Sequence, residues 1–116
     1  MTSSHASLLA DRMEELQALP FGWDGYFAVP VRDDCIYFAR RFLAAFGWED
    51  FPMPSLIPGS DGTLQIEWHR NDVDLEIDIL GAKEAVATRR NIHTGHREER
   101  LLKENFYDLE DWIRQL

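Results

Sequence analysis

The sequence predicts an α+β fold in two layers: two N-terminal helices, an antiparallel meander of three to four strands and a short C-terminal helix. Three observations support this prediction. Apolar residues recur at helical spacing before residue 47, alternate with polar residues from Leu64 to Ile79, and return to helical spacing at the C-terminus. Helices on the apolar face of a half-buried sheet give one core, and 116 residues fit a single domain, residues 1–116.

The first predicted helix runs from Ser4 to Leu19 and ends before Pro20, because proline cannot continue a helix. Its apolar face consists of Leu9, Met13, Leu16 and Leu19.

The second predicted helix follows Pro30. Asp33 and Asp34 favour its N-terminus, where carboxylates cap the backbone and complement the helix dipole. We expect Gly47 to end it in a left-handed conformation. Its apolar residues are Ile36, Ala39, Leu43 and Phe46, with Cys35 and Phe42 beside them. The three prolines between residues 52 and 58 then exclude helix and disfavour a central strand.

A β-hairpin is predicted after the turn dipeptide Asp61-Gly62. Two segments, Leu64–Trp68 and Val73–Ile79, alternate apolar and polar residues. A three-residue loop between them would set every apolar residue opposite a polar one, so we predict a two-residue loop at Asn71-Asp72. The predicted apolar pairs are Trp68–Leu75, Ile66–Ile77 and Leu64–Ile79.

The last elements follow a predicted turn at Gly81–Lys83. A third strand covers about Glu84–Arg90, and Ile92–Arg97 either continues it or forms a fourth. The C-terminal helix is expected to be capped by Asp108. Its apolar residues, spaced i, i+3, i+4 and i+7, are Leu109, Trp112, Ile113 and Leu116.

Composition restricts the function classes. A net charge of −9 disfavours direct binding to nucleic acid or to anionic membranes. No apolar run reaches the ~18 residues of a membrane span, and Met1–Ala10 lacks the pattern of a signal peptide. Cys35 is the single cysteine, so no intramolecular disulfide can form. We therefore expect a cytoplasmic protein that does not contact membranes.

The predicted register places four carboxylates on the polar face of the hairpin. Glu67 lies opposite Glu76, with Asp74 and Asp78 flanking the pair. Because like charges opposite each other destabilise a sheet by some tenths of a kcal/mol, stability alone would not favour this pair. One interpretation is a solvated face neutralised by Arg89 or Arg90. The other is a docking surface for a basic partner.

Charge is segregated along the chain. Residues 59–80 hold six acids and one base, and residues 81–103 hold three acids and six bases. The basic run has no interleaved aromatics, so we expect it to pair with the acidic strand rather than with phosphate. Its residues are Arg89, Arg90, Arg97, Arg100 and Lys103.

The segment Phe21–Pro30 contains four aromatic residues and two glycines between the helices. In a structural interpretation, Trp23 and Tyr26 plug the end of the core. In a functional interpretation they are anchors for a partner, because exposed aromatics on loops dominate interface energetics.

Catalytic and metal motifs are weak. His93 and His96 have helical metal-ligand spacing, but Gly95 breaks a helix and no third ligand is near in sequence. Cys35 lies on the apolar side of a helix, as a core thiol would. The oxygen-ligand loops that Mg²⁺ or Ca²⁺ require are also missing. The sequence therefore predicts a non-enzymatic protein with no cofactor.

Two motifs carry a resemblance to a known family. They are Gly22-Trp23-Asp24-Gly25-Tyr26-x-Ala28-x-Pro30 and, after a helix, Pro54-x-x-x-Pro58-x-x-Asp61-Gly62-x-Leu64-x-Ile66-Glu67-Trp68. Together they resemble those of a family of small bacterial and mobile-element proteins with no established function, over roughly residues 9–80. Phe27 stands where that family has a small residue, often glycine. The resemblance implies no activity and no catalytic residue.

We expect a small acidic module that regulates or inhibits a basic protein partner, as antitoxins and anti-defence proteins do. An anti-CRISPR protein that mimics nucleic acid is one concrete form. The partner-binding residues would be Glu67, Asp74, Glu76 and Asp78 for steering, with Trp23 or Tyr26 as the anchor. The alternatives are a metal-dependent or hydrolytic enzyme using Asp24, Asp61 and Glu67, and a structural homodimer formed through surplus aromatics or a free sheet edge.

Overall fold

The computed structural model describes residues 4–116, which form an α+β arrangement of three helices and one five-stranded antiparallel sheet. The segment Met1–Ala10, which lacks the pattern of a signal peptide, lies partly outside this range, since its first three residues precede Ser4. The helices are α1 (His5–Gln17), α2 (Asp33–Ala44) and α3 (Glu110–Arg114). The strands are β1 (Ser55–Pro58), β2 (Leu64–Arg70), β3 (Val73–Gly81), β4 (Glu84–Asn91) and β5 (Arg97–Leu102).

The strands lie in chain order, β1-β2-β3-β4-β5, so the predicted meander is confirmed with one strand more than expected. The additional strand is β1, at the edge of the sheet, where Pro58 does not interrupt a ladder on both sides. Arg12 of α1 fastens it, because its Nη2 donates a 2.9 Å hydrogen bond to the carbonyl of Leu56.

The β2–β3 register is the predicted one in every pair from Leu64 opposite Ile79 to Arg70 opposite Val73. The loop has two residues, Asn71 and Asp72, with φ of 50° and 62°. Positive φ at both positions is the mark of a type I′ turn, whose twist matches that of the strands it joins.

The last strand begins at Arg97, so the prediction of strand from Ile92 to Arg97 is wrong. Residues 92–96 form a turn instead. The side chain of Asn91 accepts hydrogen bonds from the backbone N–H groups of His93 and Thr94, both at 3.0 Å, and Gly95 has a φ of 73°. An asparagine that bonds the backbone two residues ahead favours a turn over a strand.

The helices pack on one face of the sheet and enclose the core there. α2 lies against β2 and β3. An aromatic cluster fills one part of this layer, with the Trp48 ring stacked on Trp68 at 6.2 Å between centroids. The other members of the cluster are Phe42, Phe46, Phe51 and Phe106.

Three predicted details at helix ends need correction. α2 ends at Ala44, and Gly47 does not adopt a left-handed conformation, because the chain turns earlier, at Ala45, whose N–H bonds the carbonyl of Phe42. Asp33 and Asp34 lie in the first turn of α2, as predicted, but neither makes a cap hydrogen bond. Asp108 does not cap α3, because it lies within a short 3₁₀ turn, Phe106–Leu109, that precedes the helix.

No helix within residues 4–116 is long and apolar enough to cross a lipid bilayer.

Candidate functional site

The candidate site is the sheet face that points away from the helices, which we call the open face. Its side chains alternate along each strand with the buried ones, and the register determines which of them are neighbours. One row across the open face holds His69, Asp74, Arg90 and Arg97. The next holds Ser55, Glu67, Glu76, Thr88 and Glu99, and a third holds Ile57, Gln65, Asp78, Val86 and Leu101.

The four predicted carboxylates lie on this face together. Glu67 is opposite Glu76, as predicted, and Asp78 receives a hydrogen bond from the side-chain amide of Gln65. Half-burial raises the pKa of the Glu76 carboxyl above its ordinary value, and the negative charges of Glu67 and Asp78 raise it further. The middle of the open face is therefore an electrostatically unfavourable place for one more anion.

His69 bridges two of these carboxylates. Its Nδ1 lies 2.7 Å from an oxygen of Asp74, and its Nε2 lies 3.0 Å from an oxygen of Glu67. A neutral imidazole has one N–H, so both contacts become hydrogen bonds only when the ring is the doubly protonated cation. These two bonds raise the pKa of His69 above its ordinary value. The bridge was not predicted, although the predicted register places His69 opposite Asp74.

The predicted ion pairs between the basic run and the acidic strand are not formed, although Arg90 lies opposite Asp74 in the register. Arg89 is opposite Leu75 and points to the covered face, because it is one residue out of phase with Arg90. Arg97 pairs with Glu99 on its own strand at 2.6 Å. Within residues 4–116, no basic residue from this run forms an ion pair with an acid of β3.

Arg100 is used inside the fold. Its Nη1 lies 2.8 Å from an oxygen of Asp111 and also donates to the carbonyl of Asp108. Its guanidinium carbon is 3.8 Å from the centre of the Trp112 ring. Arg100 therefore connects β5 to α3 and adds no positive charge to the open face.

The open face contains a depression of about 430 Å³. The three β3 carboxylates line one side of it, and Thr88, Arg90 and Arg97 line another, with Gly95 of the β4–β5 loop. The depression is therefore polar and carries both signs of charge.

The aromatic segment Phe21–Pro30 forms a tight loop. The backbone N–H of Gly22 bonds the carbonyl of Ala28 at 2.7 Å. One oxygen of Asp24 accepts hydrogen bonds from two backbone N–H groups, those of Tyr26 and Ala28. The Trp23 indole donates a 2.8 Å bond to the carbonyl of Val29. These bonds make the loop a closed unit.

The loop presents aromatic side chains to solvent. Tyr26 is 78% exposed and Phe27 is 83% exposed, while Trp23 is half-buried. The structural interpretation, in which Tyr26 plugs the core, is therefore wrong, because the buried residue of this loop is Ala28. The loop is hydrogen-bonded to the turn before Leu64, through Val29 N–H to the carbonyl of Ser60. It therefore lies near the end of the sheet at which Leu64 of β2 pairs with Ile79 of β3.

The residues considered for catalysis have local partners. Asp24 bonds its own loop, and Asp61 accepts from the backbone N–H and the hydroxyl of Thr63, which lowers the pKa of Asp61. Burial raises the pKa of the Cys35 thiol, which is packed in the core as predicted.

The two histidines considered as a metal motif contact different acidic residues. His93 contacts Asp72 and His96 contacts Glu98, at 2.9 and 3.1 Å. In the part of the chain that the structure describes, no three His, Cys, Asp or Glu side chains are placed to share a metal ion.

A second depression, of about 210 Å³, lies between α1 and α2 and is mostly apolar. Its one charged residue, Arg40, donates a 2.8 Å hydrogen bond to Gln17. It holds no group suited to acid–base or nucleophilic chemistry.

Comparisons with protein-family models, with curated proteins and with solved structures find no match to this chain.

Proposed function

We propose that this chain is a non-enzymatic protein-binding module whose open face receives a basic surface of another protein and thereby regulates or inhibits it. The observation that carries the proposal is the opposed pair Glu67 and Glu76, with Asp78 beside it. This cluster has no arginine or lysine partner in the described residues, so a cation from outside would relieve its repulsion.

The arrangement of the carboxylates supports an antitoxin or anti-defence role. Asp74, Glu76 and Asp78 follow one another at every second residue of β3, about 7 Å apart along the strand. A regular row of anionic groups is also what nucleic acid presents to the proteins that bind it. A nucleic-acid-binding protein with a basic groove, such as a CRISPR effector, is therefore a suitable partner for this face.

The aromatic loop supplies the apolar part of the contact. The backbone that carries Tyr26 and Phe27 is held by hydrogen bonds inside the loop, so binding at the loop tip costs little backbone entropy. Trp23 is half-buried and acts as the support of the loop rather than its tip. We infer that the acids steer the partner and that the loop tip slows its release.

The test is capture of a basic protein from a lysate of the source cells, followed by binding measurements with the purified partner. The variant Glu67→Lys/Glu76→Lys/Asp78→Lys reverses the charge of the open face. The matched control is Asp11→Lys/Glu14→Lys/Glu15→Lys, which makes the same change in net charge at exposed positions of α1. We expect the wild type and the control to bind, with affinity falling as salt rises, and the face variant to lose binding at least tenfold.

Two results would overturn the proposal. One is a partner that binds the face variant as tightly as the wild type. The other is a wild-type chain that captures no basic protein at low ionic strength. Circular dichroism of the variants must show that all three chains are folded.

A further inference from the structure

The imidazole of His69 is an internal counter-ion of the open face. It lies 2.7 Å from an oxygen of Asp74 and 3.0 Å from an oxygen of Glu67, so the charged ring binds two carboxylates at once. The His69 side chain is 54% exposed, whereas that of Glu67 is 16% exposed. A basic group that approaches Glu67 from solvent therefore competes with a ring that already lies against this carboxylate.

The charged groups nearest to His69 on this face are acidic. Glu67 precedes it by two residues on β2, Asp74 lies opposite it on β3, and Glu76 lies opposite Glu67. Arg90 of β4 lies on the far side of Asp74, and β1 contributes no titratable residue. The hydrogen bonds to Asp74 and Glu67 raise the pKa of His69 above its ordinary value. His69 therefore gains and loses its proton near neutral pH.

We propose that a basic partner displaces the charged imidazole of His69 from Glu67, so that binding at the open face releases a proton and strengthens as the pH rises. This inference rests on the proposed function and states how that function is regulated. The charged ring donates to both carboxylates, whereas the neutral ring has one N–H and leaves one carboxylate without its donor. Loss of the proton also makes the face more negative by one charge. Both effects favour a cation supplied by the partner.

Proton loss and partner binding favour each other. A cation of the partner beside Glu67 repels the imidazolium of His69 and takes one of its two acceptors, so the bound partner lowers the pKa of His69. Linkage is reciprocal, so loss of the proton strengthens binding of the partner by the same factor. The protein is therefore expected to hold its partner at neutral or alkaline pH and to release it on acidification.

The test measures binding of an octa-arginine peptide with blocked termini, because guanidinium groups do not titrate between pH 6.0 and pH 8.5. We expect fluorescence anisotropy at low salt to show a wild-type affinity about threefold to tenfold higher at pH 8.5 than at pH 6.0. A change of this size corresponds to the loss of one positive charge beside the bound cations. His69→Gln keeps a side-chain donor but never carries the charge. It should bind more tightly than the wild type at pH 6.0 and equally well at pH 8.5.

His96→Gln is the matched control. It removes a histidine that also contacts a carboxylate, that of Glu98 at 3.1 Å, but Glu98 lies opposite Arg89 in a row of the covered face. This variant should keep the wild-type pH dependence. A second measurement is made on the wild type alone, by NMR titration of its imidazole signals with and without saturating octa-arginine. We expect the titration midpoint of His69 to fall by about half a pH unit or more when the peptide is bound.

The coupling to the proton is overturned if the wild-type affinity is the same at both pH values, if His69→Gln keeps the wild-type ratio, or if the midpoint of His69 does not move. The variant Glu67→Lys/Glu76→Lys/Asp78→Lys separates this outcome from a failure of the proposed function. Binding that is independent of pH but is lost in that variant overturns the coupling and leaves the proposed function standing. If the variant binds octa-arginine as the wild type does, or if the wild type does not bind it, the open face does not receive cations and both proposals fail.

Discussion

The two faces of the sheet are formed by alternate residues of the same strands, yet the helices cover one face and leave the other uncovered. On β3, Leu75, Ile77 and Ile79 are at most 2% exposed beneath the helices. The residues between them, Asp74, Glu76 and Asp78, are half-buried on the open face. Asp74 lies opposite Arg90 of β4, whereas Glu76 and Asp78 lie opposite the uncharged Thr88 and Val86. The covered face is completed by its own chain. The open face is left electrostatically incomplete, which is why we assign function to it.

The largest expected difference in unfolding free energy is between substitutions of two adjacent residues on opposite faces of β3. Ile77→Ala leaves a cavity in the core and is expected to lower the free energy of unfolding by about 2–5 kcal/mol. Glu76→Gln, one residue away, removes a half-buried charge opposite Glu67 and is expected to leave stability unchanged or raise it by some tenths of a kcal/mol. Denaturation in urea at pH 7 measures both values.

The comparison of faces fails if Glu76→Gln is as destabilising as Ile77→Ala. That result would mean that the carboxylate of Glu76 makes a favourable interaction inside the fold, and the open face would then be structurally complete.

The turn between β2 and β3 is expected to give an intermediate effect, because it sets which residues reach each face. Asn71 has a φ of 50°, a conformation that β-branched residues rarely adopt, and its side chain also donates to the carbonyl of Leu116. Asn71→Val is expected to cost about 1–2 kcal/mol of unfolding free energy.

Asn71→Gly is the matched control for that substitution. It loses the same side-chain hydrogen bond but adopts positive φ without strain, so it should be the more stable of the two variants in the same denaturation assay. Equal stabilities would show that positive φ at residue 71 contributes nothing to the stability difference between the two variants.

How far the sequence could predict the fold depends on how local each signal is. The β2–β3 register followed from alternation and a two-residue loop, because a shift by one residue would place Ile66 and Ile77 opposite polar residues. β1 was missed because its prolines argue against a central strand, and an edge position depends on the whole sheet.

The site was predictable only in part. The four carboxylates share one face because the period of a strand is two. The ion pairs were not predictable from the sequence, because long side chains contact acidic residues outside their own row of the sheet. Arg100 of β5 contacts Asp111 of α3, and no spacing in the sequence predicts that contact.

The smallest expected effect comes from His69, the single bridge between carboxylates on the open face. A histidine whose pKa is raised by folding stabilises the native state at pH values below its unfolded pKa, near 6.5. That contribution is lost as the pH rises through the folded pKa. His69→Gln should therefore be less stable than the wild type at pH 5.5 by at most about 1 kcal/mol, since the ring is largely exposed.

The difference in unfolding free energy between the wild type and His69→Gln should become smaller as the pH rises toward 8.5. The other three histidines are present in both chains and cancel in the comparison. Glu76, whose pKa is also raised, makes both chains lose stability as the pH rises, at pH values near and above 4.5, and it is likewise present in both. A difference that is constant from pH 5.5 to 8.5 would mean that folding does not raise the pKa of His69. The bridge would then be a neutral contact, and the carboxylates of Glu67 and Asp74 would be as free to receive a partner's cation as that of Glu76.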